Sequence, residues 1–387
     1  MYLQLFIDGR YGSFSTNKLE KSDLQKFISQ GIAATRFISP DPFRKLPEKS
    51  LYYRGEDIDL GQNDYNFTDI NPERKREIAK EIINNMDRSD SRIISIGSSF
   101  DDLCEDVYMV DSNGFEGRTK QTLYTVSAEC SVKDSDSRPE GWWYDSTMFL
   151  DKLNHQDCGK IALSRALNKL GSRQIKSGKY NIILENTVSS KVISPIISAL
   201  HGSSIQQMSS FLINSRGKKL FPEFMSLKDT PHKYGAMGSR LFDSERIATK
   251  DFSIIENGVV CTYFINTYYA GKMNEDITIE GPSVPALTSN LPLRTGLSEH
   301  LKRVGKGVLI SGFNGGNSNP VTGDFSYGIE GFYFENGEIL HPVSEMNLTG
   351  NIISLWNKLL FIGNDHRECS RWQIPTLSFE SININGE

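Results

Sequence analysis

The chain has 387 residues, of which 38% are hydrophobic and 24% are charged, and these fractions are typical of globular proteins. Its 43 basic and 48 acidic residues give a formal net charge of −5, so bulk charge argues against nucleic acid as the main ligand. The five cysteines are widely spaced without a CxxC pair, and no apolar run approaches the ~20 residues of a membrane helix, so we expect a cytoplasmic protein without disulfides or a membrane partner.

The first part of the chain mixes helix and strand patterns. Asp8-Gly9 predicts a hairpin turn between two alternating strands, and Asn71-Pro72 predicts the start of a helix. Residues 121–132 are rich in β-forming side chains, and residues 159–170 have helical spacing of apolar side chains. These patterns predict an N-terminal mixed α/β domain over residues 1–175.

The second part of the chain has no long helical pattern between residues 210 and 350. It repeats an Asn-Gly turn between two alternating segments, which is the signal of a type I′ hairpin. Residues 349–363 predict a helix, and residues 374–382 predict a closing strand. We therefore expect a β-rich C-terminal domain over residues 176–387, and an α+β fold class for the chain.

The sequence contains few of the motifs that hold a metal ion or activate a nucleophile. HExxH, GxSxG and phosphate-binding glycine loops are all missing from it. His366 and Cys369 form the one cluster with ligand types at a usable spacing, and the alternative is an ordinary polar loop after a helix. Two candidate ligands do not complete a zinc site, because such sites usually have at least three protein ligands.

Residues 311–331 form the densest glycine region of the chain, and they pass from a loop pattern into a strand pattern. Glycines within a strand often mark the close approach of another backbone, so an extended peptide could bind there through main-chain hydrogen bonds. A β-bulge or an obligatory turn explains the same glycines. The sequence alone leaves both interpretations open.

Several blocks together resemble the TldD/PmbA family, whose members were named as modulators of DNA gyrase. The strongest block is VTGDFSYGIEGFYFENGEILHPVSEMNLTGN (321–351), followed by LWNKLLFIGND (355–365). Residues 185–212 and 241–272 resemble the family as well, so the similarity covers nearly the whole chain. It implies an α+β protein whose β-rich C-terminal domain is antiparallel and barrel- or sandwich-like.

The family resemblance also implies two types of subunit with different roles. TldD-type members carry an HExxxH helix and a distal cysteine that bind zinc, whereas TldE/PmbA-type members lack this motif and pair with a TldD-type subunit. Aligned on the preceding strand, the motif falls on residues 185–190 of this chain. Glu185 takes the first ligand position, Asn186 takes that of the general base, and Ser190 takes the second ligand position.

These substitutions imply a degenerate metalloprotease helix over residues 186–200, with no catalytic residue. Asn186 has no basic lone pair to accept a proton from water, and Ser190 is a poor zinc ligand. The resemblance therefore implies the TldE/PmbA-type branch. This chain would bind no zinc itself, and zinc is expected in a TldD-type partner.

The expected function is that of a non-catalytic subunit in a cytoplasmic TldD-type zinc peptidase complex that degrades or matures peptides. Its partners would be the TldD-type subunit and a peptide or unfolded polypeptide, and a homodimer of the isolated chain is left open. Since family members usually have more helix and strand before the hairpin at Tyr2, the chain is expected to lack their first segment. The candidates for substrate contact are Gly323, Asp324, Phe325 and Ser326.

Two other functions are weighed against this expectation. The first is a metallopeptidase that is active by itself, with Glu185, His366 and Cys369 as unorthodox ligands. The second is a non-enzymatic protein that binds and modulates DNA gyrase. The sequence offers the second no support, because it shows no basic helix, helix-turn-helix or zinc finger.

Overall fold

The chain opens with a hairpin and a helix in a computed structural model, which describes residues 1–55, 58–133, 135, 137–291 and 295–386. Strands β1 (Tyr2–Ile7) and β2 (Arg10–Ser15) are antiparallel, and Asp8 and Gly9 between them both have positive φ, as the Asp-Gly signal predicts. Helix α1 (Lys21–Thr35) follows and packs against both strands.

A three-stranded antiparallel sheet with two helices forms the central unit. Its elements are α2 (Pro72–Asn84), β3 (Ile93–Val110), β4 (Glu116–Val132), β5 (Glu140–Thr147) and α3 (Cys158–Leu167). Asn71 caps α2 by accepting a hydrogen bond from the Arg74 N–H, as expected for an Asn-Pro start. The sheet order is β3-β4-β5, and apolar residues of α2 and α3 pack with those of β4.

The second half of the chain contributes the remaining elements. They are β6 (Gly178–Leu184), α4 (Ser190–Ala199), α5 (Gly202–Gln206), β7 (Met225–Asp229), β8 (Phe252–Glu256), β9 (Val259–Val260), α6 (Thr267–Met273), β10 (Pro285–Ser289), α7 (Leu297–Val304), β11 (Lys306–Ser318), β12 (Asp324–Glu335), β13 (Glu338–Asn351), α8 (Ile352–Trp356), β14 (Leu359–Ile362) and β15 (Leu377–Asn385). Asn257-Gly258 and Asn336-Gly337 turn the two predicted hairpins, with positive φ at all four residues.

Five of these strands close into a barrel in the order β13-β12-β11-β6-β15, because β15 also pairs with β13. Strand β14 extends the sheet beside β15. The pairs are antiparallel except for β6 with β11, which are parallel. The β-rich antiparallel barrel that the resemblance implies is therefore present, with one parallel pair in it.

One hydrophobic core joins the barrel to the rest of the second half. It contains residues of helix α4, of the barrel strands and of a four-stranded sheet with the order β10-β7-β8-β9. Val192, Ile193 and Ile196 of α4 are fully buried in it, and the Trp356 indole N–H donates to the Val192 carbonyl. This packing fixes helix α4, at whose start the expected motif positions lie.

The predicted helix over residues 349–363 is wrong. Strand β13 continues to Asn351, a five-residue helix follows, and residues Leu359–Ile362 form strand β14. Thr349 pairs with Ser326 on one side and with Asn383 on the other, and the Asn351 side chain then caps the short helix. The ladder on both sides of β13 therefore overrides the helical spacing of the apolar residues.

Two further expectations concern the chain as a whole. Helix α3 ends at Leu167 and β6 begins at Gly178, so the proposed domain boundary at residue 175 lies between elements, and the two-domain division stays a prediction. In the part of the chain that the structure describes, no helix is long and apolar enough to cross a membrane.

Candidate functional site

The segment that aligns with the zinc motif lies where strand β6 passes into helix α4. Residues 186–189 form a turn, and the helix begins at Ser190 rather than at residue 186 as predicted. The N–H groups of Val188 and Ser189 both donate to the Glu185 carbonyl, which closes this turn. Glu185 and Asn186 therefore lie before the helix, and Ser190 is its first residue.

The Glu185 carboxylate is bound on both oxygens by an arginine of the central unit. Arg165 donates from Nη1 to Oε1 at 3.0 Å and from Nη2 to Oε2 at 2.7 Å. The Thr187 hydroxyl donates to Oε2 at 2.8 Å. Only 23% of the Arg165 side chain and 18% of the Glu185 side chain are exposed. Two-pronged guanidinium–carboxylate pairs are among the strongest hydrogen-bonded arrangements in proteins, so both oxygens of Glu185 are already engaged.

The other two motif positions have no groups for metal-assisted hydrolysis. The Asn186 side chain donates its amide hydrogen to the Asp365 carbonyl, and this bond ties the turn to the loop before β15. The Ser189 hydroxyl donates to the Ile374 carbonyl and anchors the turn to the same region. Asn186 thus acts as a structural donor, and an amide cannot take a proton from water.

His366 and Cys369 are not brought to Glu185 as a ligand set. The His366 Nε2 lies 3.1 Å from a carboxylate oxygen of Glu368, and Cys369 is buried. Burial raises the pKa of the Cys369 thiol. Among the described residues, no three His, Cys, Asp or Glu side chains are placed to hold a metal ion.

Zinc, which the resemblance implies for TldD-type proteins, does not fit the residues at this position. A zinc ion at Glu185 would compete with the Arg165 guanidinium for the same two oxygens. It would also place two cations, the zinc ion and the guanidinium, beside a single carboxylate. The motif positions offer no imidazole to complete a coordination sphere.

A cavity of about 550 Å³ lies beside the motif turn, and we call it the α4 cavity. Its walls come from the motif turn and helix α4, from β5 and α3 of the central unit, from barrel strands β11 and β12, and from the loop before β15. They include Trp142, Trp143, Tyr144, Arg165, Lys169, Thr187, Val188, Ser190, Lys191, Ser194, Ser311, Gly312, Phe313, Asn314, Glu330, Arg367 and Trp372.

The proposed substrate contacts at residues 323–326 lie in paired structure. Asp324, Phe325 and Ser326 pair with β13, and Phe325 and Ser326 also pair with β11, so they offer a peptide no open strand edge. Phe325 is buried in the barrel, and the Asp324 carboxylate accepts hydrogen bonds from Asn351 and Thr322, which lower its pKa. These residues join the start of β12 to helix α8.

An open strand edge occurs instead on β11, beside the α4 cavity. Among the described residues, strand β11 pairs with β6 only from Val308 to Ile310, and from Gly312 onward it pairs only with β12; the Ser311 carbonyl accepts a hydrogen bond from Arg165. Ser311 to Asn314 line the cavity at this point. Register shifts at Gly312 and Gly316 fit the β-bulge explanation of the glycine-rich stretch 311–331, and substrate contact by residues 323–326 stays a prediction. Sequence reasoning missed Arg165 altogether, because nothing in helix α3 marks it as a partner of Glu185.

Comparisons with known proteins cover most of the chain. The model of the PmbA/TldA metallopeptidase central domain matches residues 65–170, and that of the C-terminal domain matches residues 177–386. A metalloprotease PmbA homolog from Haemophilus influenzae is 27% identical, over 99% of this chain and 85% of its own length. Metalloprotease PmbA from Escherichia coli O157:H7 is 25% identical, over 100% of this chain and 85% of its own.

Two solved structures have the same fold. A candidate modulator of DNA gyrase from Bacteroides thetaiotaomicron is 45% identical with a TM-score of 0.97, over 100% of this chain and 88% of its own. TldE from Thermococcus kodakarensis is 18% identical with a TM-score of 0.82, over 100% of this chain and 89% of its own. At that identity the second likeness shows the fold alone.

Proposed function

The chain belongs to the PmbA/TldD metallopeptidase family, and from that premise we propose that it is a non-catalytic, TldE/PmbA-type subunit of a TldD-type zinc peptidase. The complex would degrade or mature peptides in the cytoplasm. In this proposal the zinc ion and the general base belong to the TldD-type partner. This chain supplies the matching scaffold and one wall of the substrate chamber.

The observation that carries the proposal is the ion pair between Arg165 and Glu185. The single ligand-type side chain left at the motif positions has both oxygens bound by a guanidinium, at 2.7 and 3.0 Å. Metal-assisted hydrolysis needs a bound metal, an activated water and a proton acceptor. Asn186 and Ser190 provide neither the acceptor nor a second strong ligand.

The peptide-handling role rests on the open edge of strand β11. A peptide in extended conformation can add to such an edge through main-chain hydrogen bonds, which are independent of its sequence. The edge lies beside the α4 cavity, whose aromatic walls offer contact to side chains of the peptide. This arrangement suits a subunit that positions varied peptides for a partner to cleave.

Co-expression with a TldD-type protein from the same organism tests the proposal. We expect a stable complex that contains zinc and cleaves an unstructured peptide, and we expect a chelator to abolish the cleavage. The isolated chain should hold no stoichiometric zinc in elemental analysis and should cleave nothing. Chelator-sensitive cleavage by the pure chain, or a pull-down dominated by gyrase in place of a TldD-type protein, would refute the proposal.

A pair of matched substitutions locates the chemistry within the complex. Replacing the second zinc-binding histidine of the partner with alanine should abolish cleavage. Ser190→Ala, at the corresponding position of this chain, should leave the zinc content of the complex unchanged, because a serine hydroxyl contributes no metal coordination there. A loss of zinc in Ser190→Ala comparable to that in the partner's variant would place the metal site in this chain.

A further inference from the structure

We propose that the α4 cavity binds the carboxylate group of a peptide between Lys191 and Arg367. The proposal rests on the proposed function in one respect, since it takes peptides as the class of ligand. It goes beyond that function by assigning a binding site, and the chemistry of the bound group, to the position where the metal motif has been lost.

The cationic side chains of the cavity are only partly neutralised. Arg165 is paired with Glu185, and the Lys169 ammonium lies 2.6 Å from a Glu330 carboxylate oxygen. Lys191 and Arg367 line the same cavity, and within the described residues neither has a carboxylate at ion-pair distance. These two positive groups thus face the cavity without a negative partner among the residues that the structure describes.

Both unpaired cations are held in place by aromatic rings. The Lys191 ammonium lies 5.0 Å from the centre of the Tyr327 ring. The Arg367 guanidinium lies 4.2 Å from the centre of the Trp143 ring and 4.5 Å from that of Tyr144, and it donates one hydrogen bond to the Tyr144 carbonyl. Because a guanidinium has five N–H donors, most of those of Arg367 remain for a ligand. Stacking of this kind orients the planar group in advance, which lowers the entropy lost on binding.

The size and walls of the cavity favour a peptide over a small inorganic anion. Its volume of about 550 Å³ lies in the range of organic ligand sites, ~300–1,000 Å³. Trp142, Trp143 and Trp372 add apolar surface, and the open edge of β11 runs along one side. A carboxylate would bind the two cations through charge-assisted hydrogen bonds, while the chain that bears it lies against the strand.

Tryptophan fluorescence of the isolated full-length chain offers a direct test, since three of the four tryptophans line the cavity. The probes are N-acetyl-tetraalanine with a free C-terminal carboxylate, the same peptide as its C-terminal amide, and an amide of equal length with one central glutamate. We expect the free acid to bind at least about tenfold more tightly than the alanine amide, as one or two charged hydrogen bonds would give. Tight binding of the glutamate amide would assign the carboxylate to a side chain, and weak binding would assign it to the peptide terminus.

Variants tie the effect to the two cations. Lys191→Met and Arg367→Gln should each weaken binding of the free acid about tenfold, with little change for the amide. Lys179→Met, at an exposed position on β6 outside the cavity, is the matched control and should bind like the parent. If Arg367→Gln proves misfolded by circular dichroism, Lys191→Met, at the half-buried start of α4, decides alone.

Equal binding of acid and amide, unchanged affinity in Lys191→Met, or no binding of any probe at millimolar concentration would overturn the proposal. These outcomes are separable from failure of the proposed function. Complex formation with a TldD-type subunit is measured without the probes, and carboxylate binding is measured without the partner.

Discussion

Arg165 and Glu185 are twenty positions apart in the chain, on helix α3 and at the end of strand β6. The family resemblance assigns Glu185, Asn186 and Ser190 to the motif positions because these positions are counted from the preceding strand. It gives no hint of Arg165, since the contact depends on how the central unit packs against the barrel. Local sequence therefore predicts what the motif has lost, and tertiary structure shows which group engages the remaining carboxylate.

Breaking this ion pair should destabilise the protein. Arg165→Met leaves the Glu185 carboxylate half-buried without its cation, and we expect the free energy of unfolding to fall by about 2 kcal/mol. Arg165→Met combined with Glu185→Met should recover most of the loss. Urea titrations at pH 7 measure both variants. Arg303→Met, which removes a more exposed pair with Glu299, is the control and should cost less than about 1 kcal/mol.

His300 makes stability depend on pH. It is fully buried beside the Ser378 hydroxyl, and burial lowers its pKa to about 4 from an ordinary value of 6.5. The unfolded chain therefore binds a proton more readily, so the stability associated with the neutral ring is fully present above pH 6.5 and is lost as the pH falls towards 4. The slope contributed is at most about 1.4 kcal/mol per pH unit.

His300→Gln should flatten the pH dependence of unfolding between pH 6.5 and pH 4, because glutamine does not titrate. Urea unfolding at half-unit intervals of pH gives the comparison. A parent and variant with parallel stability curves over this interval would contradict the assignment. His341→Gln, at a half-buried position on β13, is a suitable control.

Secondary-structure elements differ in how far their own residues determine them. The Asp-Gly and Asn-Gly turns were predictable because few residues other than Gly and Asn adopt positive φ readily. The start of helix α1 was less predictable from the sequence. Ser22 and Gln25 have the spacing of a capping box, but the N-cap is Glu20 and it makes no side-chain cap bond. Partners distant in the chain, such as β15 for the end of β13, also explain why residues 349–363 are not one helix.

Closure of the barrel depends on Gly331 in strand β12. A Cβ atom there would lie 1.9 Å from the Leu309 carbonyl oxygen of β11, far inside contact distance. Gly331→Ala must therefore push β11 and β12 apart, and we expect it to lower the free energy of unfolding by at least about 2 kcal/mol. Gly178→Ala at the start of β6 is the control, because the nearest atom to its Cβ is 3.4 Å away. Equal stability of the two variants in urea would contradict this account of the barrel.

At the scale of the whole molecule, the central unit and the barrel are joined by polar contacts around the α4 cavity. Arg165 reaches Glu185, Lys169 reaches Glu330 at 2.6 Å, and Arg367 donates to the Tyr144 carbonyl at 2.6 Å. Sequence patterns indicated the two kinds of architecture but not this junction, because each contact joins residues in different parts of the fold. The cavity lies where the central unit contacts the barrel.

This junction should make the two parts unfold together. We expect the parent protein to show one transition in urea, with coincident circular dichroism and tryptophan fluorescence. Arg165→Met, Lys169→Met and Arg367→Gln combined should separate the two probes, because they remove the polar contacts that couple the parts. Coincident curves in the triple variant would show that apolar packing, such as Phe115 against Phe242, suffices for the coupling.

If the proposed function is correct, the ion pair between Arg165 and Glu185 also makes the loss of catalysis difficult to reverse in evolution. Replacing Glu185 alone with histidine would leave the Arg165 cation without its ion-pair partner, and replacing Arg165 alone would leave the carboxylate without its partner. Replacing Asn186 with a general base would remove its hydrogen bond to the Asp365 carbonyl. Each of these single substitutions would lower the stability of the protein. A descendant of such a protein would therefore need several substitutions together to regain hydrolysis.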